Sequence, residues 1–315
     1  MSSSSPTRAG FAAIIGAPNA GKSTLTNRLV GAKVSIVTRK VQTTRFPVRG
    51  VAMAGQSQIV LVDTPGIFTP RRRLDRAMVR SAWSGAEDAD AIVHLVDVQA
   101  QLAAGEGKAS GADKKAVQDV ATIIEGLKGA GRQAILALNK IDGVKRDRML
   151  AVAQALFDTG VYSEVFMISA ATGAGVEDLR DRLAALMPEG PWLYPEDQTA
   201  DLPVRLLAAE ITREKLYLRV HEELPYAATV ETTAFEERRD GSVRIEQTIF
   251  VEREGQRAII IGENGQTLKW IGSASREELS DLLDRKVHLF LHVKVRENWA
   301  DERDIYQGMG LEFDV

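Results

Sequence analysis

The stretch "GAPNAGKS", Gly16 to Ser23, decides the fold. It follows the apolar run "FAAII" (11–15) and precedes a helical pattern, so it is a glycine-rich turn between a strand and a helix. The spacing fits G-x-x-x-x-G-K-[ST], in which glycines let successive backbone N–H groups and a helix N-terminus surround an anion. Phosphate is the anion that this geometry suits. Gly16, Ala17, Pro18, Asn19, Ala20, Gly21, Lys22, Ser23 and Thr24 are expected to hold it. Lys22 supplies a point charge for the β- and γ-phosphates, and the Ser23 hydroxyl suits Mg²⁺.

Four further apolar runs lie downstream: "IVLVD" (59–63), "AIVHLVDV" (91–98), "AILALN" (134–139) and "VFMIS" (165–169). Helical patterns separate them. Near-continuous apolar strands alternating with amphipathic helices predict an α/β domain, a mostly parallel sheet with helices on both faces. Ligands of such sheets bind at the carboxyl ends of the strands, and the remaining motifs fall there.

"IVLVDTPG" ends a buried strand in Asp63, expected to hold Mg²⁺ through water. Thr64 and Pro65 follow, and the Gly66 N–H is expected to sense the γ-phosphate. "NKID" gives the base preference. The Asp142 carboxylate can accept both the ring N–H and the exocyclic amine of guanine, which adenine cannot donate. An acceptor left unpaired in a site can discriminate by about 10⁴-fold or more. Asn139 is expected to tie this loop to the phosphate loop, and the Lys140 stem to cover the base. "SAATG" brings Ser169, Ala170 and Ala171 near the guanine oxygen. In "TRKVQTTRF" (38–46) a threonine should complete the Mg²⁺ site when a γ-phosphate is present, and Thr43 and Thr44 are both candidates. Arg39, Arg45 and Arg71 to Arg73 are either RNA or partner contacts or solvated charge on the loops.

At 315 residues the chain suits two domains, and with 44% hydrophobic residues each can bury a core. Cysteine is absent, which excludes disulfides and thiolate metal sites. The start, "MSSSSPTRAG", is too short and polar for a secretory signal, and no apolar run approaches the roughly 18 residues of a membrane span. It reads as a frayed tail on a soluble protein. The net charge of −3 conceals an asymmetry: 1–203 carry 24 Lys+Arg against 21 Asp+Glu, and 204–315 carry 16 against 22.

A helical pattern ends at Pro188, and "PEGPWLYPEDQTADLP" carries four of the ten prolines, as an interdomain linker would. Beyond it the pattern predicts a helix at 204–222 and strands at 227–237, 243–252 and 256–261. The glycine loop Gly262-Glu263-Asn264-Gly265, helices to about 285 and a strand at 287–295 complete the second domain. A lone GxxG is an RNA-backbone clamp or an ordinary turn. It lacks the Lys-Ser/Thr of a second nucleotide loop.

"GAPNAGKS", "KVQTTR", "DTPGIF", "NKID" and "SA" together resemble the TrmE–Era–EngA-like GTPase family. "ELPY" (223–226), "FVEREGQ" (250–256), the GxxG loop, "VHLFLHVKV" and "NWADE" are similar to the type II KH domain of that family's KH-bearing branch. The resemblance implies a disordered tail (1–10), a P-loop GTPase domain (11–188), a linker (189–203) and an α+β KH domain with a carboxyl-terminal tail (204–315). It also implies GTP and GDP as ligands, Mg²⁺ as cofactor, and slow hydrolysis of GTP to GDP and phosphate. Implied partners are 16S rRNA near its 3′ end and the small (30S) ribosomal subunit, whose assembly it would assist. The chain would be a cytoplasmic monomer with a peripheral inner-membrane fraction.

Residue 67 is Ile, where Ras-like enzymes place a water-orienting glutamine. In related GTPases a P-loop asparagine helps to bind K⁺, and Asn19 matches that position. Lys22, Asn19, Thr43, Thr44 and Gly66 are therefore the expected catalytic residues. In the KH domain Gly262, Glu263, Asn264, Gly265, Lys269, Arg257 and Arg213 are expected at RNA, with Lys215, Arg219 and Arg276 as further basic candidates. Trp270 either stacks on a base or fills the core, and the core is favoured because a large aromatic on a helix usually packs inward. Two departures weigh against bulk electrostatic binding: Glu263 lies inside the loop, and the domain is net −6. A signalling GTPase acting on protein or membrane partners is the alternative. An RNA-modifying enzyme would need a catalytic domain that the chain does not offer.

Overall fold

The computed structural model describes residues 6–220 and 224–315. The serines of the amino-terminal tail and Glu223 of "ELPY" lie outside the described residues. Two compact units form: one contains the chain up to Ser35, 41–201 and 307–315, the other 36–40 and 202–306. Residues 36–40, expected with the first domain, and 307–315, expected with the second, thus change places. Leu311 explains part of this, because its side chain is buried within the first unit.

The first unit alternates strand and helix. Its elements are β1 (Arg8–Gly16), α1 (Lys22–Val30), β2 (Val48–Ala54), β3 (Ser57–Asp63), α2 (Arg73–Glu87), β4 (Ala91–Asp97), α3 (Val98–Gly105) and α4 (Gly111–Gly129). β5 (Ala134–Asn139), α5 (Arg146–Phe157), β6 (Tyr162–Met167), α6 (Val176–Leu186) and the two-residue β7 (Ala200–Asp201) follow. The strands order as β6-β5-β4-β1-β3-β2-β7, with β2 and β7 antiparallel to their neighbours and the rest parallel. The apolar runs of β1, β3, β4 and β5 are buried on both sides and that of the edge strand β6 partly so, and period-2 alternation divides them between two cores. In β1, Ala12 and Ile14 pack with Leu25, Leu29, Leu179 and Leu183, whereas Ala13 and Ile15 pack with Ala82, Ala86, Ile123 and Leu127. The carboxyl ends of β1, β3 and β5 carry Gly16, Asp63 and Asn139.

The second unit contains α7 (Val204–Arg219), β8 (Ala228–Glu237), β9 (Val243–Val251), α8 (Glu254–Ile261), α9 (Gln266–Leu283) and β10 (Val287–Val295). The sheet runs β10-β9-β8, parallel between β9 and β10 and antiparallel between β8 and β9. The order α-β-β-α-α-β is that of a type II KH domain. α10 (Arg303–Met309) ends the regular structure.

The strand expected at 256–261 is instead helix α8. "AIII" reads as strand by β-branching, but a cap overrides it: Gln256 Oε1 accepts from the backbone N–H groups of Glu252 and Arg253 at 2.9 and 3.1 Å. Only one face of the run is covered, Ile260 in the core and Ile259 exposed, as a helix requires and a buried strand does not.

Candidate functional site

β1 delivers Gly16 and α1 begins at Lys22, so the loop between them is set by the sheet on one side and a helix N-terminus on the other. Gly21 sits at φ 101°, where a Cβ would lie 2.4 Å from Asn139 Nδ2. No side chain fits there, because Asn139 must pass to reach the Ala20 carbonyl at 2.8 Å. Lys22 is buried, and its ammonium donates to the carbonyls of Gly16 (3.1 Å) and Ala17 (3.0 Å). Burial lowers its pKa to about 8 against the opposing pull of Asp63 and Asp119. An anion placed in the loop would favour its charged form. Asn19 lies at the exposed tip with φ 62°.

Asp63, at the end of β3, is fully buried, and neither carboxylate oxygen has a hydrogen-bond partner of normal geometry among the described residues. Burial raises its pKa. The Ser23, Lys22, Ser35 and Thr44 side chains beside it favour the charged form. A buried carboxylate among hydroxyl oxygens, with no cluster of three acidic or imidazole side chains among the described residues, suits a hard cation that shares its ligands with phosphate. Of the two candidate threonines, Thr44 is 8% exposed and its Oγ1 lies 2.9 Å from Ser23 Oγ. Thr43 is half-buried.

Thr64 does not face this pocket. Its hydroxyl donates to the Ile14 carbonyl at 2.8 Å and fixes the start of the following loop against β1. The Ile67 N–H donates to Gly16 O at 3.1 Å, and Gly66 lies so close to Pro18 that a Cβ would sit 2.8 Å from its ring. Ser35, which the sequence did not single out, joins Asp63 because Asn27 holds it. Asn27 Oδ1 accepts from the Val34 and Ser35 N–H groups, both at 2.9 Å, and its Nδ2 donates to Ser35 O at 2.8 Å.

At the base end Asn139 is a cross-brace. Its Nδ2 donates to Ala20 O, and its Oδ1 accepts from the Ala170 N–H at 2.9 Å. Lys140 has φ 65°, and its ammonium pairs with Asp97 Oδ2 at 2.6 Å. Gln99 donates to the carbonyls of Lys140 (2.9 Å) and Asp142 (3.3 Å), which leaves the Asp142 carboxylate exposed. Ser169 is buried and its Oγ accepts from the Thr172 N–H. From α1, Arg28 Nε donates to Ala170 O at 3.4 Å and its guanidinium also holds Ala171 O. Arg28, Gln99 and Asp97 were not found by motif, because their partners in the site lie 41 to 143 residues away.

In the second unit α8 and α9 meet at the glycine loop. Gly262 (φ 74°) would place a Cβ 2.4 Å from Thr267 Oγ1, and Asn264 (φ 51°) and Gly265 (φ 76°) are also left-handed. Glu263 and Asn264 are exposed at the tip. Beside the loop a groove of about 380 Å³ runs between α9 and β10, lined by Gly265, Leu268, Lys269, Gly272, Ser273, Arg276, Leu289 and Leu291. Lys269 and Arg276 therefore stand on the groove. Arg257, on α8, is exposed and pairs with Glu254 at 3.2 Å.

Two expectations are corrected. Arg213 is 1% exposed and paired with Glu210, so it is a core ion pair of α7 and not an RNA contact. Burial lowers its pKa, but Glu210 and Tyr217 outweigh that and raise it. Trp270 is not core. It is 41% exposed, with the Arg219 guanidinium 5.6 Å above its ring, because it falls on the outer face of α9 opposite the buried Ile271, Ser275 and Leu279. Lys215 is engaged by Glu214 and Glu278.

The family model described as a 50S ribosome-binding GTPase matches residues 11–140, and a KH domain model matches 223–300. The chain is 78% identical over 311 residues to GTPase Era of Caulobacter vibrioides, covering 99% of this chain and 98% of that one. It is 60% identical to GTPase Era of Maricaulis maris over 99% of this chain and all of the other. Among solved structures it is similar to an Aquifex aeolicus Era variant bound to GDP and aluminium fluoride, with a TM-score of 0.85 and 35% identity over 96% of this chain and 99% of that one. Era in complex with Mg-GDPNP and nucleotides 1506–1542 of 16S ribosomal RNA gives the same TM-score, identity and coverage.

Proposed function

The chain belongs to the Era family of GTPases, and on that premise we propose that it is a GTP-hydrolysing switch that binds 16S rRNA near its 3′ end and assists assembly of the small ribosomal subunit. GTP and GDP would lie along Gly16–Thr24, with Lys22 at the terminal phosphates and Asn139, Asp142 and Ala170 at guanine. Ser23, Thr44 and Asp63 would hold Mg²⁺, which when bound neutralises charge on the phosphates. Thr43 is left out of that set because Thr44 occupies the place beside Ser23.

Ile67 is buried and aliphatic, so it cannot align a water for attack. We therefore assign stimulation to K⁺ at Asn19, with intrinsically slow turnover. Hydrolysis measured in potassium and in sodium, for wild type and Asn19→Ala, should differ between ions only in the wild type. Equal rates in both ions would remove the assignment.

RNA would enter the groove between α9 and β10, its backbone against Gly262–Gly265 and its bases over Leu268, Leu289 and Leu291, with Lys269 and Arg276 at phosphates. The observation that supports coupling is that residues 36–40, which lead to Thr44, belong to the second compact unit: Val37 N–H donates to Glu214 Oε1 at 2.8 Å, and Lys40 holds Val220 O. The reading includes a cytoplasmic monomer with a peripheral inner-membrane fraction. Among the described residues no helix is long and apolar enough to cross a membrane. Binding of the 3′-terminal 16S rRNA segment should differ between GTP analogue and GDP, and Gly262→Asp should abolish it. Indifference to both would favour a switch acting on protein or membrane partners.

A further inference from the structure

Helix α2 is unusually basic on one face. Arg73, Arg76 and Arg80 recur at i, i+3 and i+7, which places them together, while Leu74, Ala77, Met78 and Ala82 turn into the core. That arginine face has an occupant within the same compact unit, the segment "LEFDV" (311–315). The Arg73 guanidinium stacks 4.4 Å from the centre of the Phe313 ring. Arg80 Nε pairs with Glu312 Oε2 at 3.0 Å, and Arg76 Nε donates to Val315 O at 3.2 Å. Leu311 is buried at the root of the segment.

We propose that this face of α2 is a docking surface for an acidic, aromatic-anchored peptide, and that the chain supplies its own as residues 311–315. Charge complementarity argues for that occupant: three arginines meet Glu312 and Asp314, and the one ring in the segment lies on a guanidinium. The consequence follows from position. α2 begins five residues after Phe68 in "DTPGIF", so a segment that grips its first two turns restrains the loop running from Asp63. This consequence, unlike the docking itself, rests on reading Asp63–Gly66 as the γ-phosphate-sensing loop. An exposed ion pair and a half-buried cation–π contact are individually weak, so the docking is reversible and weakened by salt. Release would let the loop sample arrangements in which the hydrolysis site is incomplete.

Hydrogen exchange of the full chain bound to GDP tests the docking without reference to RNA or turnover. Phe313→Ala and Glu312→Arg should each speed exchange of the α2 amides at 74–83 about threefold or more, at unchanged melting temperature. Raising the salt to 0.5 M should do the same in wild type. The swap Arg80→Glu with Glu312→Arg should restore protection. Unchanged exchange in both single variants overturns the docking. GTP hydrolysis should fall about threefold in the undocked variants, and faster exchange with an unaltered rate would overturn the coupling to turnover. A wild-type chain that failed to hydrolyse GTP would instead indict the reading of the site.

Discussion

Arg28 reaches from α1 to the carbonyls of Ala170 and Ala171, so the loop proposed to face guanine is aimed by the helix whose start is proposed to meet the phosphates. The side chain is exposed and one of its bonds is long, which limits its worth to about 1 kcal/mol, roughly fivefold in affinity. Arg28→Ala should therefore weaken GDP and GTP about fivefold while leaving kcat within twofold, and Arg28→Lys should recover part of the loss. Equilibrium binding alongside steady-state rates separates the two, and an unchanged Kd would refute the role. Glu263 is the opposite case, a charge in the wrong place. It is exposed at the tip of the KH loop, beside the groove proposed for RNA, which among the described residues lining it offers Lys269 and Arg276 to phosphates. Two phosphate contacts on single-stranded RNA give a salt slope of about −1.4 in log K against log salt. Glu263→Lys should raise RNA affinity several-fold at low salt and steepen the slope by about 0.7 or more, as titrations from 50 to 300 mM KCl would read. A wild-type slope near −4 would mean that the contacts lie elsewhere.

The elements were legible to the degree that burial decided them. The five apolar runs of the first unit became strands of one sheet because both faces are covered, fully in β1, β3, β4 and β5 and partly in the edge strand β6. α8 differs for the converse reason: it is short, β-branched and half-exposed, and its helix signals are confined to its ends, Gln256 as cap partner three residues after Arg253, Glu254 in the first turn and Gly262 at the end. Trp270 and Arg213 were misplaced because the faces of α9 and α7 depend on what packs against them, and charge or size alone does not say which way a residue turns. The pairing of Thr44 with Ser23 could not be read at all, since loop conformation leaves no periodicity. Helix α4 adds a residue that no motif marks. Asp119 is 3% exposed, and burial raises its pKa to about 6, against the pull of Lys115 and Lys22. A carboxyl that holds its proton more tightly folded than unfolded stabilises the fold as pH falls through about 6 towards 4, and weakens it above. Asp119→Asn should thus stabilise at pH 7.5 by on the order of 2 kcal/mol, with the gain vanishing near pH 4. Urea denaturation across that range checks it, and a gain that grew as pH fell would contradict the assignment.

At the scale of the molecule, the division into two units does not follow the linker alone. Residues 36–40 leave the nucleotide-binding unit and return to it just before Thr44, having been held in the second unit by Glu214 and the Val220 carbonyl. Any rearrangement that moves Thr44 with the state of the nucleotide must therefore pull on a peptide that α7 holds. Glu214 is buried and pairs with Lys215 at 3.1 Å, so it is a fixed acceptor and not a mobile surface charge. Linkage then demands reciprocity: whatever factor separates RNA affinity with GTP analogue from that with GDP must also separate GTP affinity with and without RNA. Glu214→Ala removes the acceptor for the Val37 N–H. It should bring both ratios towards one together, from a starting coupling of about 1–3 kcal/mol, while RNA affinity in the GDP state stays within about threefold. Glu214→Gln keeps an oxygen at that place and should keep most of the coupling. Measuring the full cycle in the three proteins decides the matter. If the alanine variant retains both ratios, the segment 36–40 is a passenger, and nucleotide and RNA must communicate by another route.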